Sequence, residues 1–382
     1  MTTLCNASGR CGGCAYINMD YSTQLEKKQH YVQGLFGGLH AEPVLGMADP
    51  LHYRHKVYAT FGYDVRKKQL YAGLYEENTH KLVQTDDCMI QNETANRIIR
   101  SIVQIASSMH IEAFDERTGR GVLRHAYLRT SQSTGKVLLV LVIGSRELPG
   151  SKVLIHRIIE ANPEIASIVL NWNNHHTSMV LGSREKVLYG SGSIIDELGG
   201  FKFQISTRSF YQVNPVQTQL LYETALQMAQ LKPTDKVLDA CCGIGTISLF
   251  ASKSAESITG VEIVPEAIED ARQNAQTNNV KNVRFICADV EHYLAECDDY
   301  FRVIVLDPPR AGFSEDFLKA LAKKRPEKIV YISCEPGTQA RDTKVLRTKG
   351  YVVTKIQPVD MFPYTRAVEN ICLLQRQDKK EK

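Results

Sequence analysis

The sequence predicts an α/β protein in two parts, an N-terminal α+β domain over residues 1–205 and a doubly wound, mostly parallel sheet over residues 206–382. Three observations carry this. After Ser206, short apolar strands alternate with helical stretches, the pattern of βα units that build a parallel sheet. The first of those strands runs into a glycine turn, Gly243-Ile244-Gly245, where such a sheet binds ligands. Before Ser206, from Leu51 to about Ile205, strands separated by turns prevail, with few helical stretches.

Taken in order, the chain begins with Cys5, Cys11, Gly12, Gly13 and Cys14, and a further cysteine, Cys88, follows much later. Four thiolates are the complement of an iron-sulfur cluster or of a tetrahedral structural zinc. The spacing leaves both open, beside unliganded thiols; a fourth cysteine favours a closed, structural site. Val57–Tyr63 and Val137–Ile143 read as strands, and Ala95–Ser107 and Lys152–Ala161 as helices. Arg54, Lys56, Arg66, Lys67, Lys68, Arg124 and Arg129 stand among tyrosines and histidines, a mixture suited to phosphate contact and base stacking.

Composition bounds the partners. With 46 basic and 42 acidic residues the net charge is +4, so any nucleic-acid surface must be local. The longest apolar run, Val137–Ile143, is too short to span a bilayer, and the start of the chain lacks a signal-peptide core. A soluble, cytoplasmic protein with no membrane partner and no obligate protein partner is expected. Ten cysteines then point to metal, cluster or catalytic roles rather than disulfides. The tail from Arg376 to Lys382 is charged and expected to be disordered.

In the C-terminal part, strands are expected at Val237–Asp239, Ile258–Glu262, Val283–Cys287, Val303–Asp307, Ile329–Ser333, Tyr351–Ile356 and Ala367–Leu374, the first five followed by helices of ordinary length. The turn Asp239-Ala240-Cys241-Cys242-Gly243-Ile244-Gly245-Thr246 and the acid Glu262 ending the next strand suit a ribose-bearing ligand. Ser248 stands where a dinucleotide fingerprint has its third glycine, and no Gly-Lys-Ser/Thr follows; a ligand without phosphates would explain both omissions. S-adenosylmethionine is such a ligand, and Asp289 after the third strand is placed to accept from its adenine amino group. Asp307-Pro308-Pro309-Arg310 makes a rigid loop without the aromatic residue used by exocyclic-amine methyltransferases. On the adjacent strand, Cys334 precedes Pro336 at a helix start, a place expected to lower the thiol pKa.

These segments together resemble the S-adenosylmethionine-dependent RNA uracil-C5 methyltransferases across nearly the whole chain: the four cysteines, Phe210–Asn214, Asp239–Thr246, Asp307–Arg310, Ser333–Asp342, and Met361-Phe362-Pro363 through Val368-Glu369. The resemblance implies a class I methyltransferase fold. It implies Cys334 as the nucleophile that adds to uracil C6, and Glu369 as the base that removes the C5 proton. Gln212, Cys241, Thr246, Glu262, Asp289 and Asp307 are the implied cofactor residues, with Phe210 as a stacking side. It also implies that Cys5, Cys11, Cys14 and Cys88 hold a [4Fe-4S] cluster that organises an RNA-binding domain.

Three positions depart from the family pattern: Cys241 replaces a frequent aromatic residue, Glu335 an asparagine and Tyr364 a histidine. Many relatives begin with a small basic β-barrel module, for which there is no room before Cys5. Cluster cysteines without that module resemble the short 23S rRNA enzymes, so 23S rRNA is the expected substrate; the tRNA T-loop and two rRNA sites are the alternatives. A non-catalytic scaffold is disfavoured by the presence of both Cys334 and Glu369.

Overall fold

The computed structural model describes residues 5–67, 69–177 and 179–377. The N-terminal half contains α1 (Tyr21–Leu35), β1 (Lys56–Asp64), β2 (Gln69–Tyr75), β3 (Leu82–Gln84), α2 (Glu93–Ser108), β4 (Leu123–Thr130), β5 (Val137–Ile143), α3 (Ser151–Ala161), β6 (Ile165–Trp172) and β7 (Arg184–Tyr189). Its strands form one sheet in the order β3-β2-β1-β4-β5-β6-β7. Neighbours run antiparallel except β5 and β6, which α3 joins as a crossover. Every residue of β5 is buried, which is why Val137–Ile143 reads as an unbroken apolar run. On α2, Ala95, Ile98, Ile99, Ile102 and Ala106 form one apolar stripe, and Asn92 caps its start by accepting from the Ala95 amide.

A hairpin of β8 (Ser193–Leu198) and β9 (Phe201–Ser206) leads into α4 (Pro215–Ala229). Then follow β10 (Lys236–Ala240), α5 (Thr246–Ala251), β11 (Ser257–Glu262), α6 (Pro265–Thr277), β12 (Val283–Cys287), α7 (Val290–Glu296), β13 (Val303–Leu306), α8 (Glu315–Lys323), β14 (Lys328–Ser333), α9 (Pro336–Thr348), β15 (Tyr351–Val359) and β16 (Glu369–Arg376). The second sheet has the order β12-β11-β10-β13-β14-β16-β15. Five strands are parallel, and β16 runs antiparallel between β14 and β15. The order reverses between β10 and β13, so their C-terminal ends open the crevice where such sheets bind ligands.

Two expectations are corrected. Helices α5 and α7 are six and seven residues long, not of ordinary length. α7 stops where Asp298 and Asp299 would sit against the negative end of the helix dipole. Arg376 belongs to β16, paired with Tyr351, rather than to a disordered tail. Residues 378–382 of that tail, and Lys68, lie outside the described residues.

Helix α1 has no counterpart in the sequence reading, because two of the three residues it buries are polar: Gln24 and Lys28, with Val32. It packs on α9 and β15. Lys28 Nζ lies 2.5 Å from Asp360 Oδ1 and donates to the Phe362 carbonyl at 3.0 Å, while Tyr21 donates its hydroxyl to Asp360 Oδ2 at 2.8 Å. The buried lysine is thereby paired with a carboxylate and donates to a carbonyl as well. Among the described residues no helix is long and apolar enough to cross a membrane.

Candidate active site

At the end of β10 the chain turns through Cys241, Gly243 and Gly245, all with positive φ (65°, 54° and 81°). A Cβ on Gly245 would lie 2.7 Å from Phe285 Cζ, so only glycine lets α5 start this close to the sheet. Nothing lies within 4 Å of the Cβ position of Gly243, which leaves backbone open to a ligand. Glu262, ending β11, accepts from the Gly243 amide at 3.2 Å with one oxygen and from Ile263 and Val264 amides at 2.9 and 3.0 Å with the other. Ile263 beside it is 62% exposed, an apolar side chain at the ligand edge that reads in sequence only as a residue after a strand.

Four carboxylates surround Cys241. Burial first, then Glu262, Asp307, Asp239 and Asp289, push its thiol up to about 12. Asp289 is exposed and also caps α7, one oxygen accepting from the Glu291 and His292 amides at 2.9 and 3.1 Å. Asp239 is buried, accepts from the Ser248 hydroxyl at 2.6 Å and has a pKa raised to about 7, mainly by burial. Asp307, just past β13, is likewise raised to about 7 by burial and by Asp239. Thr246 opens α5, half-buried. Gln212, in the link before α4, hydrogen-bonds the Tyr222 hydroxyl, which also feels Asp307 and Glu369. The predicted cofactor residues therefore gather at one sheet edge.

Cys334 follows β14 directly and is half-buried. Burial and then Glu369 push its thiol up to about 11, while Arg310 opposes the shift by its charge and by a hydrogen bond to the sulfur. This corrects the expectation of a lowered pKa: α9 does begin at Pro336, but burial of the thiol, and then the carboxyl groups of Glu369 and Asp307 arriving from other strands, raise it. Glu369, the first residue of β16, is 2% exposed; burial, then Asp307, hold its carboxyl well above the usual range, against Arg310. Thiol, guanidinium and two carboxyl groups thus lie close enough to act on one another's charge. Arg310 is the member whose contact with Cys334 the sequence reading missed, having treated it only as a missing aromatic residue.

The loops bearing these groups are fixed from behind. Thr338 donates to the Arg310 carbonyl at 3.0 Å, and Arg341 to the Ala311 carbonyl at 3.0 Å. Gln339 donates to the Tyr331 and Asn370 carbonyls at 2.7 and 3.1 Å, joining β14 to β16 beside Glu369. The segment before Glu369 is held by Asn214, which donates to the Met361 carbonyl at 3.0 Å, and by Gln217, which donates to the Asp360 carbonyl at 3.0 Å.

In the N-terminal part, Cys5, Cys11, Cys14 and Cys88 line one cavity of about 400 Å³. Burial, then Cys88, Cys11 and Cys5, push the Cys14 thiol up to about 12, so the four sulfurs converge. A side chain on Gly12 would meet the Glu77 backbone at 2.9 Å, so glycine is needed where this loop crosses the sheet. Among the described residues no group of three or more cysteine, histidine or acidic side chains has the arrangement that holds a metal ion. Of the basic positions, Arg124 is removed from any RNA surface: it is buried, paired with Glu116 at 2.5 Å and bonded to the Asn173 and His175 carbonyls. Lys56 lies 5.1 Å over the ring of Phe210, which is 60% exposed.

Comparison with known proteins bears on this geometry. Residues 195–377 match the family model described as tRNA (Uracil-5-)-methyltransferase. The chain is 42% identical to an uncharacterized RNA methyltransferase of Halalkalibacterium halodurans, over 97% of this chain and 82% of that protein. It is 41% identical to another from Clostridium acetobutylicum, over 98% of this chain and 84% of that one. Among solved structures it is similar to the Pyrococcus abyssi tRNA (uracil-54, C5)-methyltransferase in complex with S-adenosyl-L-homocysteine, with a TM-score of 0.80 and 27% identity, covering 96% of this chain and 85% of that chain.

Proposed function

We propose, on the premise that this chain belongs to the RNA uracil-5 methyltransferase family, that it methylates C5 of one uridine in 23S rRNA through a covalent bond from Cys334 to C6. The observation that carries the reading is the mutual electrostatic influence of Cys334, Arg310, Asp307 and Glu369 at one edge of the sheet. Uracil C5 is a weak nucleophile until electrons are pushed into the ring, and a thiolate adding to C6 does that.

S-adenosylmethionine, when bound, supplies the methyl group. The acid-lined crevice and the open backbone at Gly243 suit a cationic ligand without phosphates. Gln212, Cys241, Thr246, Glu262, Asp289 and Asp307 would hold it. The Cys334 thiol first gives its proton to solvent; Arg310 stabilises the resulting thiolate, which forms an S–C6 bond and makes C5 an enolate carbon able to take the methyl group. The carboxylate of Glu369 then accepts the C5 proton, the electron pair of that C–H bond restores the ring, and the S–C6 bond breaks. The nucleophile regenerates in this step, and Glu369 regenerates as a base once its carboxyl passes the proton to solvent. The target uridine must be unstacked for either face of the ring to be reached.

The four cysteines of the N-terminal cavity would hold a [4Fe-4S] cluster with a structural role, since the mechanism has no redox step. Support comes from their convergence on a cavity larger than one ion needs. Anaerobically purified protein should contain about four iron atoms per chain, and Cys11→Ser should lose them.

A second reading, methylation of the tRNA T-loop, is favoured by the similarity to the Pyrococcus abyssi tRNA enzyme. Transfer of labelled methyl to unmodified 23S rRNA and to unmodified tRNA, with mapping of the 5-methyluridine formed, separates the two. Product in 23S rRNA alone supports the rRNA reading, and product in tRNA alone overturns it.

A further inference from the structure

We propose that the face of α1 beside the nucleophile is the subsite for the nucleotide next to the target uridine, with Tyr31 stacking on its base and Lys27 and Arg366 holding the phosphates around it. The proposal rests on the uracil-5 methyltransferase reading and extends it to how the RNA flank is recognised. A cavity of about 450 Å³ is lined by Cys334, Arg310 and Glu335 together with Tyr16, Lys27, Tyr31 and Arg366.

The charges in this cavity are unevenly partnered. Lys28 is already neutralised by Asp360, but among the described residues no carboxylate comes within ion-pair distance of Lys27. Arg366 is 73% exposed and has only a 4.0 Å contact with the exposed Glu77, a pairing that a phosphate readily replaces. Two cations close to the nucleophile and free to turn outward are what a single-stranded backbone needs.

Tyr31 supplies the other half of the subsite. Its side chain is 45% exposed, and its hydroxyl lies 3.4 Å from Oε1 of Glu335, the residue that follows Cys334 and precedes α9. That contact places the ring at the cavity lined by Cys334. Its platform is rigid, because α1 is anchored by the Lys28–Asp360 pair and by Tyr21. Taking the target base out of its stack leaves the neighbouring base without a partner on one side, and an aromatic ring at that point replaces the lost stacking. Glu335 stands where the family pattern has asparagine, so the anchoring of Tyr31 through a carboxylate is a feature of this chain's own sequence.

The test is equilibrium binding of full-length protein, loaded with S-adenosylhomocysteine, to hairpins from 23S rRNA and the tRNA T-arm. Wild type, Tyr31→Ala, Tyr31→Phe and Lys27→Ala are compared, each also on hairpins with an abasic site on either side of the methylated uridine. Tyr31→Ala should weaken binding about tenfold, and Tyr31→Phe, which keeps the ring but loses the Glu335 contact, by less. Affinity for S-adenosylmethionine should be unchanged in every variant, which excludes misfolding. One abasic hairpin should cost wild type the same factor and cost Tyr31→Ala almost nothing. Lys27→Ala should reduce the slope of log affinity against log salt by about 0.7. Tyr31→Ala binding as tightly as wild type, or abasic losses at both flanks that add in full to the mutation, would overturn the subsite. Wild-type protein that binds these RNAs yet transfers no methyl group would refute the underlying reading, a result visible apart from the Tyr31 comparison.

Discussion

Lowering the pH from about 8 to about 6 should weaken S-adenosylmethionine binding about tenfold. The cause is Asp307, whose carboxyl is raised to about 7 by burial and by Asp239 in the free protein. With that pKa it is about nine-tenths ionised at pH 8 and about one-tenth ionised at pH 6. A bound sulfonium cation favours the carboxylate, so its pKa falls in the complex and a proton is released on binding. The sign follows: affinity is present above about pH 7 and is lost as pH falls through it. Glu369, also raised by burial and Asp307, acts in the same direction. Titration calorimetry in two buffers of different ionisation heat, at several pH values, measures both the affinity and the released proton. S-adenosylhomocysteine, which lacks the sulfonium charge, should show a smaller dependence, and Asp307→Asn should flatten it. An affinity constant within twofold across that range, with no proton released, would refute the reasoning.

Glu369→Gln should leave the C5 proton in place, so that protein-RNA adducts on ordinary uridine persist on denaturing gels while turnover falls by about 10²- to 10⁴-fold. Lys28→Met leaves Asp360 buried without its partner and should cost about 3–5 kcal/mol of stability, read as a lower denaturation midpoint, with slower turnover because the segment before Glu369 loosens. The Cys334 thiol, pushed up to about 11, should react sluggishly with iodoacetamide at neutral pH and faster as pH rises toward that value, and Arg310→Ala should slow it further.

The parallel sheet was legible because β10, β13 and β14 are buried runs bounded by turns, and the glycine turn marks its ligand edge by local chemistry alone. The direction of β16 was not, since pairing direction is a matter of topology and leaves no periodicity in the strand itself. Helix α1 escaped because it buries Lys28 and Gln24, and their partners Asp360 and Tyr364 lie over 300 residues away. The same distance explains the Cys334 thiol. A helix start is visible in Pro336, whereas the carboxylates that oppose its effect come from the ends of β13 and β16. Local sequence thus names the reacting groups, and the chain's return from afar sets their charge.

The central claim is a covalent bond between Cys334 and the target uracil, and RNA containing 5-fluorouridine tests it most directly. Fluorine cannot leave C5 as a proton does, so the adduct formed after methyl transfer is trapped. With S-adenosylmethionine present, wild-type protein should give a denaturation-resistant RNA adduct whose mass maps to the peptide bearing Cys334, and Cys334→Ala should give none. Methyl transfer to natural RNA without any such adduct, or an adduct on another cysteine, would contradict the account.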